Sequence, residues 1–201
     1  MKVRMKSEER RADIVRSAIH LFAEKGFRGA TTRELAAAAG VTEPVLYQHF
    51  RNKSDLYCAI IEAKAGELSG NAAALDQLAQ SGDDRAFFGT LGELILRRYQ
   101  EDPELSRLLF FSSLERHELA DLFFERLYSA FYQRVTTYIR RRVRQRAFRK
   151  VNAEVAARGL IGMISYQGLV TLLFPRRFSI ANRRRVAQEM VNIFLEGIAA
   201  R

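Results

Sequence analysis

The chain has 201 residues, of which 48% are apolar, so it can bury a substantial core and is not expected to be disordered. Its formal net charge is +10, and the first 53 residues hold eleven Lys and Arg against six Asp and Glu, a local excess that is typical of nucleic-acid binding. The single cysteine, Cys58, excludes an intrachain disulfide, and the basic start lacks the apolar stretch of a secretory signal peptide, so we expect a cytoplasmic protein.

The first predicted helix begins at Ser7. Ser7 is a favourable N-cap, and two acidic residues follow it in the first turn, where the helix dipole stabilises negative charge. Apolar residues then recur at helical spacing: Ile14, Ala18, Leu21 and Phe22. Gly26 is predicted to end the helix, because glycine readily adopts the left-handed conformation found at helix C-termini.

Two short helices are predicted next. Thr31 is the expected N-cap of the second helix, because Glu34 follows three residues later and completes a capping box. This helix is predicted to end at Gly40. Thr42 is the expected cap of a short third helix, in which Pro44 is tolerated because the first turn has no intrahelical N–H bond to lose.

The rest of the chain predicts six further helices and no strand. They are expected from 53 to about 80 with a bend near Gly66 or Gly70, from about 85 to 101, from Pro103 onward, from 117 to about 150, from 152 to 174, and from 182 to 200. The predicted fold is therefore all-α with about nine helices.

The segment from 31 to 53 has the features of a helix-turn-helix. Two helices that cross steeply over a short turn need small residues between them, which 36–39, four consecutive alanines, supply. Gly40 suits a turn that needs a positive φ. Leu35, Val41, Leu46 and Phe50 can close a small core, so that the N-terminal residues of the third helix are free to enter a major groove.

The residue types in this segment also suit contacts with a duplex. Hydroxyls, cations and helix N-termini contact phosphates, and the candidates are Thr32, Tyr47, His49 and Lys53. Candidates for base contacts are Arg33 to a guanine edge, Pro44 and Val45 to a thymine methyl, and Gln48 to adenine. Glu43 has two interpretations: it accepts a hydrogen bond from a cytosine amine, or it only favours the helix N-terminus.

These residues resemble the DNA-binding domain of the tetracycline-repressor (TetR) family. The resemblance covers about sixty residues and lies in Thr32-Arg33-Glu34-Leu35-Ala36, Ala39-Gly40-Val41, Leu46-Tyr47-Gln48-His49-Phe50 and Asn52-Lys53. It implies a homodimer that binds a palindromic operator, with a three-helix DNA-binding domain over 1–53 and a helical ligand-binding and dimerisation domain over 54–201. It also implies the phosphate and base roles given above, but not the operator sequence.

The last two long helices are the predicted dimer interface. Between Val155 and Phe174 the only charged residue is Arg158, and the uncharged run from 159 to 174 is shorter than the roughly 20 residues of a membrane span. Small residues recur at every third position from Gly159 to Gly168, so another helix can approach closely. The predicted interface, a four-helix bundle across a two-fold axis, contains Gly159, Gly162, Ser165, Tyr166, Leu169, Met190, Ile193 and Phe194. Burial within one chain is the alternative.

An effector pocket is predicted in the same C-terminal part. The family resemblance implies a small, apolar or amphipathic effector that releases the protein from DNA. The candidate lining residues are Phe111, Tyr128, Met163, Tyr166 and Gln167, for each of which core packing is the alternative. Seven cations between Arg140 and Lys150 have two interpretations, a solvated helix face or a supplementary site for phosphate or an anionic ligand.

No signal for enzymatic activity is found in the sequence. The three histidines are far apart, no catalytic motif appears, and no cofactor is implied. Glu115, His117 and Glu118 are potential metal ligands, but no partner completes a site, so no metal is expected. We expect a ligand-released transcriptional repressor. The alternatives are a transcriptional activator or ligand-independent DNA-binding protein and, third, a helical enzyme or carrier.

Overall fold

The computed structural model describes residues 7–69, 72–114 and 119–199, and these contain eleven α-helices and no strand. The helices are α1 (Ser7–Gly29), α2 (Thr32–Ala38), α3 (Glu43–His49), α4 (Lys53–Ser69), α5 (Ala72–Ser81), α6 (Asp84–Glu101), α7 (Pro103–Leu114), α8 (Leu119–Phe124), α9 (Ala130–Arg144), α10 (Ala153–Leu173) and α11 (Arg183–Ile198). A π-helical turn, Glu125–Ser129, joins α8 to α9. The all-α prediction is confirmed.

One of the predicted helices is divided in the structure. The helix expected from 53 to 80 corresponds to α4 and α5, and the residues between them, 70 and 71, lie outside the described residues, so a bend near Gly70 stays a prediction. The helix expected from 117 to 150 is α8, the π-helical turn and α9, and it ends at Arg144. It ends early because Arg146 has a φ of 60° and the amides of Ala147 and Phe148 both bond to the carbonyl of Arg142, which turns the chain.

The described helices belong to two compact units. The first consists of residues up to 67 together with 104–127, and the second of residues 68–103 together with those from 128 onward. The predicted boundary between residues 53 and 54 stays a prediction. It falls at the start of α4, and α4 belongs to the first unit as far as residue 67.

An aromatic cluster forms the core of the first unit. Phe22 and Phe27 stack with ring centroids 5.8 Å apart, and Tyr57 meets both rings edge-on at 5.2 and 5.4 Å. Gly26 lies between the two phenylalanines with a φ of 72°, as predicted, but α1 resumes after this kink and continues to Gly29. The Tyr57 hydroxyl is hydrogen-bonded to Ser112, so α4 and α7 are joined inside this core.

The second unit is built on α6, which packs against α10 and α11. Phe87 stacks on Tyr138 with ring centroids 4.0 Å apart, and the Tyr138 hydroxyl donates to Asp84 at 2.7 Å. Arg142 also donates to Asp84, through Nε and Nη2 at 2.8 Å each. Burial and the adjacent Asp84 carboxylate raise the pKa of Tyr138, so this phenol stays protonated and donates.

The glycines of α10 lie on different sides of the helix. A Cβ on Gly168 would lie 2.2 Å from Tyr99 Cδ2 of α6, whereas Gly159 and Gly162 have no atom within 4 Å of that position. Each residue advances an α-helix by about 100°, so the nine residues from Gly159 to Gly168 make about two and a half turns and place the two glycines on opposite sides of the helix. The predicted single stripe of small residues from Gly159 to Gly168 is therefore wrong. Gly168 packs inside the unit, and Gly159 and Gly162 face outward.

Candidate nucleic-acid interface

A capping box fixes the start of α2, as predicted. Thr31 has an extended backbone, its hydroxyl oxygen accepts from the Glu34 amide at 3.3 Å, and its own amide donates to Glu34 Oε2 at 3.0 Å. Lys25 Nζ lies 2.7 Å from Glu34 Oε1. The Lys25 ammonium and the two Thr31 donors lower the pKa of Glu34 from its usual 4.5 to about 2. This carboxylate therefore stays charged at the N-terminus of α2.

The turn between α2 and α3 depends on the backbone conformation of Gly40. Its φ is 63°, while the space where a Cβ would point is open, so the turn requires glycine for conformation and not for room. The amides of Gly40 and Val41 bond to the carbonyls of Ala37 and Ala36 at 3.0 and 2.9 Å, which closes the end of α2. Thr42 occupies the predicted N-cap of α3, but its side chain makes no capping bond.

The helix α3 presents one buried and one exposed face. Leu46 and the following Phe50 are buried in the first unit, and each is 2% exposed. Pro44, Tyr47 and Gln48 are exposed, with 48% of Tyr47 accessible, whereas Val45, His49 and Glu43 are half-buried. Arg33 on α2 is also exposed. The exposed face of α3 thus carries a proline in its first turn and a phenol and a planar amide in its last turn.

A hydrogen bond joins the N-termini of α2 and α3. Thr32 Oγ1 donates to Glu43 Oε1 at 2.6 Å. The Glu43 carboxylate is thus held by a residue eleven positions earlier, which favours a role in setting the angle between the two helices. No local sequence pattern pairs these residues, because each is explained separately by its own helix start.

Lys53 has structural contacts that the sequence did not reveal. Its Nζ donates to the carbonyl oxygens of Phe27 and Ala30 at 2.8 and 2.9 Å, and it lies 4.5 Å from the centroid of the Phe27 ring. The ammonium therefore binds the C-terminal end of α1, where carbonyls lack helical partners. A phosphate contact by Lys53 stays a prediction, and it would use the remaining N–H of the ammonium.

The candidate effector residues occupy different environments. The Tyr128 hydroxyl accepts a hydrogen bond from Arg98, and the Arg98 guanidinium carbon lies 4.7 Å from the centroid of the Tyr128 ring. Burial raises the pKa of Tyr128 to about 12. Met163 packs against the core of the second unit, Gln167 is half-buried, and Tyr166 is 66% exposed. Phe111, half-buried on α7, belongs to the first unit. The pocket stays a prediction.

The candidate interface residues are mostly accessible. On α10, Gly159, Gly162 and Tyr166 are exposed, and Leu169 and Ser165 are half-buried. On α11, Ile193 is 65% exposed, and Met190 and Phe194 are half-buried. α10 is the one helix in the described part of the chain that is long and apolar enough to cross a membrane. Helices that pack against other helices in a protein core can have the same length and composition.

The basic run after Tyr138 is largely engaged within the second unit. Arg140 pairs with Glu154 and Arg142 with Asp84, whereas Arg141 and Arg149 donate to the backbone carbonyls of Ala79 and Gly197. The remaining cations are exposed: Arg144, Arg146 and Lys150. In the part of the chain that the structure describes, no cluster of potential metal ligands is present, and 115–118 lie outside it.

Two short helices at a glycine turn, with the second exposing Pro44, Tyr47 and Gln48, define a helix-turn-helix DNA-binding protein. Comparison with known families agrees: residues 14–60 match the bacterial regulatory proteins of the tetR family, and residues 95–197 match the C-terminal domain of AefR-like transcriptional repressors. The chain belongs to the TetR family of transcriptional regulators. Its N-terminal DNA-binding and C-terminal helical domains are those of this family.

Individual relatives differ in how much of their length matches. The chain is 33% identical to the transcriptional activator FasR of Mycolicibacterium smegmatis over 107 residues, which is 53% of this chain and 48% of FasR. It is 26% identical to the transcriptional repressor KstR2 of Rhodococcus jostii over 197 residues, 95% of this chain and 92% of KstR2. A regulator from Saccharomonospora viridis, solved with choline, superposes with a TM-score of 0.76 at 22% identity, covering 97% of this chain and 100% of that one.

Proposed function

We propose that this protein is a cytoplasmic, homodimeric repressor that binds a palindromic operator through α3 and is released by a small apolar or amphipathic effector. The observation that carries the proposal is the exposed face of α3. Pro44 in the first turn and Gln48, one turn further along the same face, can reach base edges from there, because the recognition helix of a helix-turn-helix lies in the major groove. Family membership supports the same orientation.

The proposed roles divide the site into contacts that position and contacts that specify. Phosphates are contacted by Tyr47, His49, Lys53 and Thr32, which fixes the register without reading sequence. Thr32 would use its backbone N–H in the first turn of α2, because its hydroxyl proton is donated to Glu43. Base edges are read by Arg33, Pro44, Val45 and Gln48. Glu43 acts through Thr32, because their 2.6 Å hydrogen bond holds the N-termini of α2 and α3 together.

The proposed dimer forms through α10 and α11. Exposed and half-buried residues of α10 recur at alternating spacings of four and three, the pattern of a seam between packed helices: Val155, Gly159, Gly162, Tyr166, Leu169 and Leu173. Of the most apolar 18-residue stretch of α10, only 28% is buried within the chain. A second copy would cover the rest, with Ile193 of α11 beside it, and the two glycines would allow a close approach of the helix backbones.

The proposed effector site lies in the C-terminal domain, where the half-buried Arg98 donates a hydrogen bond to the Tyr128 hydroxyl. A polar pair of this kind can orient an amphipathic molecule, because a few placed polar groups in an apolar pocket supply specificity. Effector binding would then change the separation of the two α3 helices from the 34–36 Å or so that half-sites one turn apart require.

Selection of bound duplexes from a random pool tests the DNA-binding proposal directly. We expect enrichment of an inverted repeat whose half-sites are about one helical turn apart, because a two-fold dimer places two α3 helices in successive major grooves. Enrichment of a single half-site would contradict the dimer. The absence of any duplex binding, even at low salt where phosphate contacts are strongest, would contradict the function as a whole.

A transcriptional activator is the second candidate, because FasR, with 33% identity over its matched region, is named as one. Both functions use the same DNA contacts, so binding alone does not separate them. A reporter carrying the selected operator separates them: loss of the protein raises expression from a repressed promoter and lowers it from an activated one.

A further inference from the structure

A groove of about 370 Å³ lies in the second unit, between α5, the first turn of α6 and one face of α9. The proposed function assigns no role to this groove. One face of α9 forms a wall, since its lining residues recur at helical spacing: Gln133, Arg134, Thr137, Tyr138 and Arg141. Asp76 and Ala79 of α5 lie opposite. A volume above about 300 Å³ is in the range that holds a small organic ligand.

Arg141 differs from the arginines on either side of it. Arg140 and Arg142 are each paired with a carboxylate, of Glu154 and Asp84 respectively. Arg141 is instead bonded to the carbonyl oxygen of Ala79, and no acidic partner for it is present among residues 7–69, 72–114 and 119–199. Its positive charge at the groove is therefore not neutralised by the described part of the chain.

The guanidinium of Arg141 is also held in position with a donor left over. Its carbon lies 5.1 Å from the centroid of the Tyr138 ring, and that ring is itself stacked on Phe87 at 4.0 Å. The buried Nε of Arg141 has no hydrogen-bond partner among the described residues. Leaving such a donor unpaired is unfavourable, so this side chain keeps hydrogen-bonding capacity that the described residues do not use.

The other polar groups that line the groove are hydrogen-bond donors and one carboxylate. Arg134 Nε is paired with Asp76 Oδ1 at 3.0 Å, so the lining carries two guanidiniums and a single carboxylate. Gln133 and Thr137 add an amide and a hydroxyl on the same face of α9. The methyl group of Ala79 and the stems of the two arginines supply the apolar surface.

We infer that this groove binds a small organic anion, a carboxylate attached to an apolar group, with the carboxylate at Arg141 and Arg134. The excess of guanidinium charge excludes a cationic ligand, and the apolar walls favour an organic anion over inorganic phosphate. The site is separate from the candidate effector residues, none of which lines it. The inference does not depend on the proposed function, because its test contains no DNA.

Binding can be measured by ligand-detected NMR and titration with benzoate and octanoate as probes, and with benzyl alcohol as the neutral counterpart of benzoate. We expect saturable binding of at least one carboxylate and none of the alcohol. Arg141→Gln should weaken the binding by about tenfold or more, because it removes a charge-assisted contact. Arg144→Gln removes the same charge from an exposed position of α9 outside the groove, and it should leave the affinity unchanged within about twofold.

Asp76→Asn provides a test in which the affinity for the probe should rise and not fall. It removes the carboxylate opposite the two arginines, so the carboxylate probe should bind about three- to tenfold more tightly. Equal affinities in the wild type, Arg141→Gln and Asp76→Asn would overturn the inference. So would tight binding of inorganic phosphate without binding of either probe, or no saturable binding of a carboxylate to the wild type and Asp76→Asn.

Discussion

Tyr47 and Gln48 are neighbours on α3, and their side chains are both exposed but offer different chemistry to a duplex. We expect Tyr47→Ala to weaken binding to the selected operator and to its single-base variants by a similar factor, about tenfold, because a phosphate contact carries no sequence information. Gln48→Ala should instead lose about 1–3 kcal/mol of discrimination at one base pair. Binding titrations against the operator and all its single-base variants measure both effects.

The pair of variants is informative because each is the control for the other. Both remove an exposed side chain from the same turn, so a general weakening of α3 would affect them alike. If Tyr47→Ala altered base preference and Gln48→Ala weakened all duplexes equally, the proposed orientation of α3 would be wrong.

Lys53 has a structural role that can be separated from DNA binding. Lys53→Met keeps the length of the side chain but removes two hydrogen bonds to backbone carbonyls and the contact with the Phe27 ring. We expect the free energy of unfolding to fall by about 1–3 kcal/mol, measured by urea denaturation without DNA. Arg33→Met removes an exposed charge on α2 and should change it by less than about 0.5 kcal/mol. Equal effects of the two substitutions would contradict this role.

The capping residue Glu34 makes the stability of the folded state depend on pH. Its pKa is lowered to about 2, so the charged carboxylate stabilises the folded state above about pH 4.5, and this contribution is lost as the pH falls toward 2. Glutamine at the same position can keep the capping bond without the charge. We therefore expect the melting temperatures of wild type and Glu34→Gln to differ most near pH 6 and to converge as the pH falls to about 2.

The control for this pH dependence is Glu62→Gln. Glu62 is an exposed residue of α4 that takes no part in a helix cap. Its effect on the melting temperature should be small near pH 6. A difference for Glu34→Gln that stayed constant down to pH 3 would show that the charge of Glu34 does not stabilise α2.

Gly168 marks the tightest helix contact of the second unit. We expect Gly168→Ala to lower the free energy of unfolding by about 1–3 kcal/mol or more, because the new Cβ would lie 2.2 Å from the Tyr99 ring near its attachment to α6. Gly159→Ala, in the same helix but in open space, should be neutral or stabilising by up to about 1 kcal/mol. Urea denaturation measures the free energy of unfolding of both variants. An equal decrease in the two variants would contradict a tight contact at Gly168.

Local signals in the sequence predicted the elements of the DNA-binding head. The Thr31–Glu34 capping box, the positive φ at Gly26 and Gly40, and the short helix after Thr42 each depend on residues within a few positions of one another. The same reasoning could not find the bond between Thr32 and Glu43 or the carbonyl contacts of Lys53. Those partners are eleven or more residues apart and meet only after the helices pack.

The errors in the C-terminal part also have a physical origin. A three-residue repeat of small side chains looks like a stripe when it is written as a sequence, but in a helix of 3.6 residues per turn it winds around the axis. The long helix predicted through residue 150 was supported by its composition, yet the chain turns where two amides bond to the carbonyl of Arg142. Both outcomes depend on three-dimensional geometry that composition does not specify.

At the scale of the whole molecule, repression requires two copies, because one helix-turn-helix contacts only a half-site. The apolar face of α10 and the neighbouring Ile193 provide the proposed contact. Burying a large exposed apolar surface is the main favourable term in stable homodimers, and each charge placed within that surface opposes association. Disruption of this face should therefore affect assembly and operator binding together, while the fold of each chain remains.

The double variant Tyr166→Asp, Ile193→Asp tests this link. Both side chains are about two-thirds exposed in the single chain, at 66% and 65%, so the substitutions should leave its helical circular dichroism unchanged. We expect analytical ultracentrifugation to show a dimer for the wild type and a monomer for the double variant. Operator affinity should fall by about a hundredfold or more, because two half-sites are no longer bound together. Leu114→Asp changes an exposed apolar residue of α7 outside this face and should remain a dimer. A double variant that still formed the wild-type dimer would show that the two copies associate through another surface.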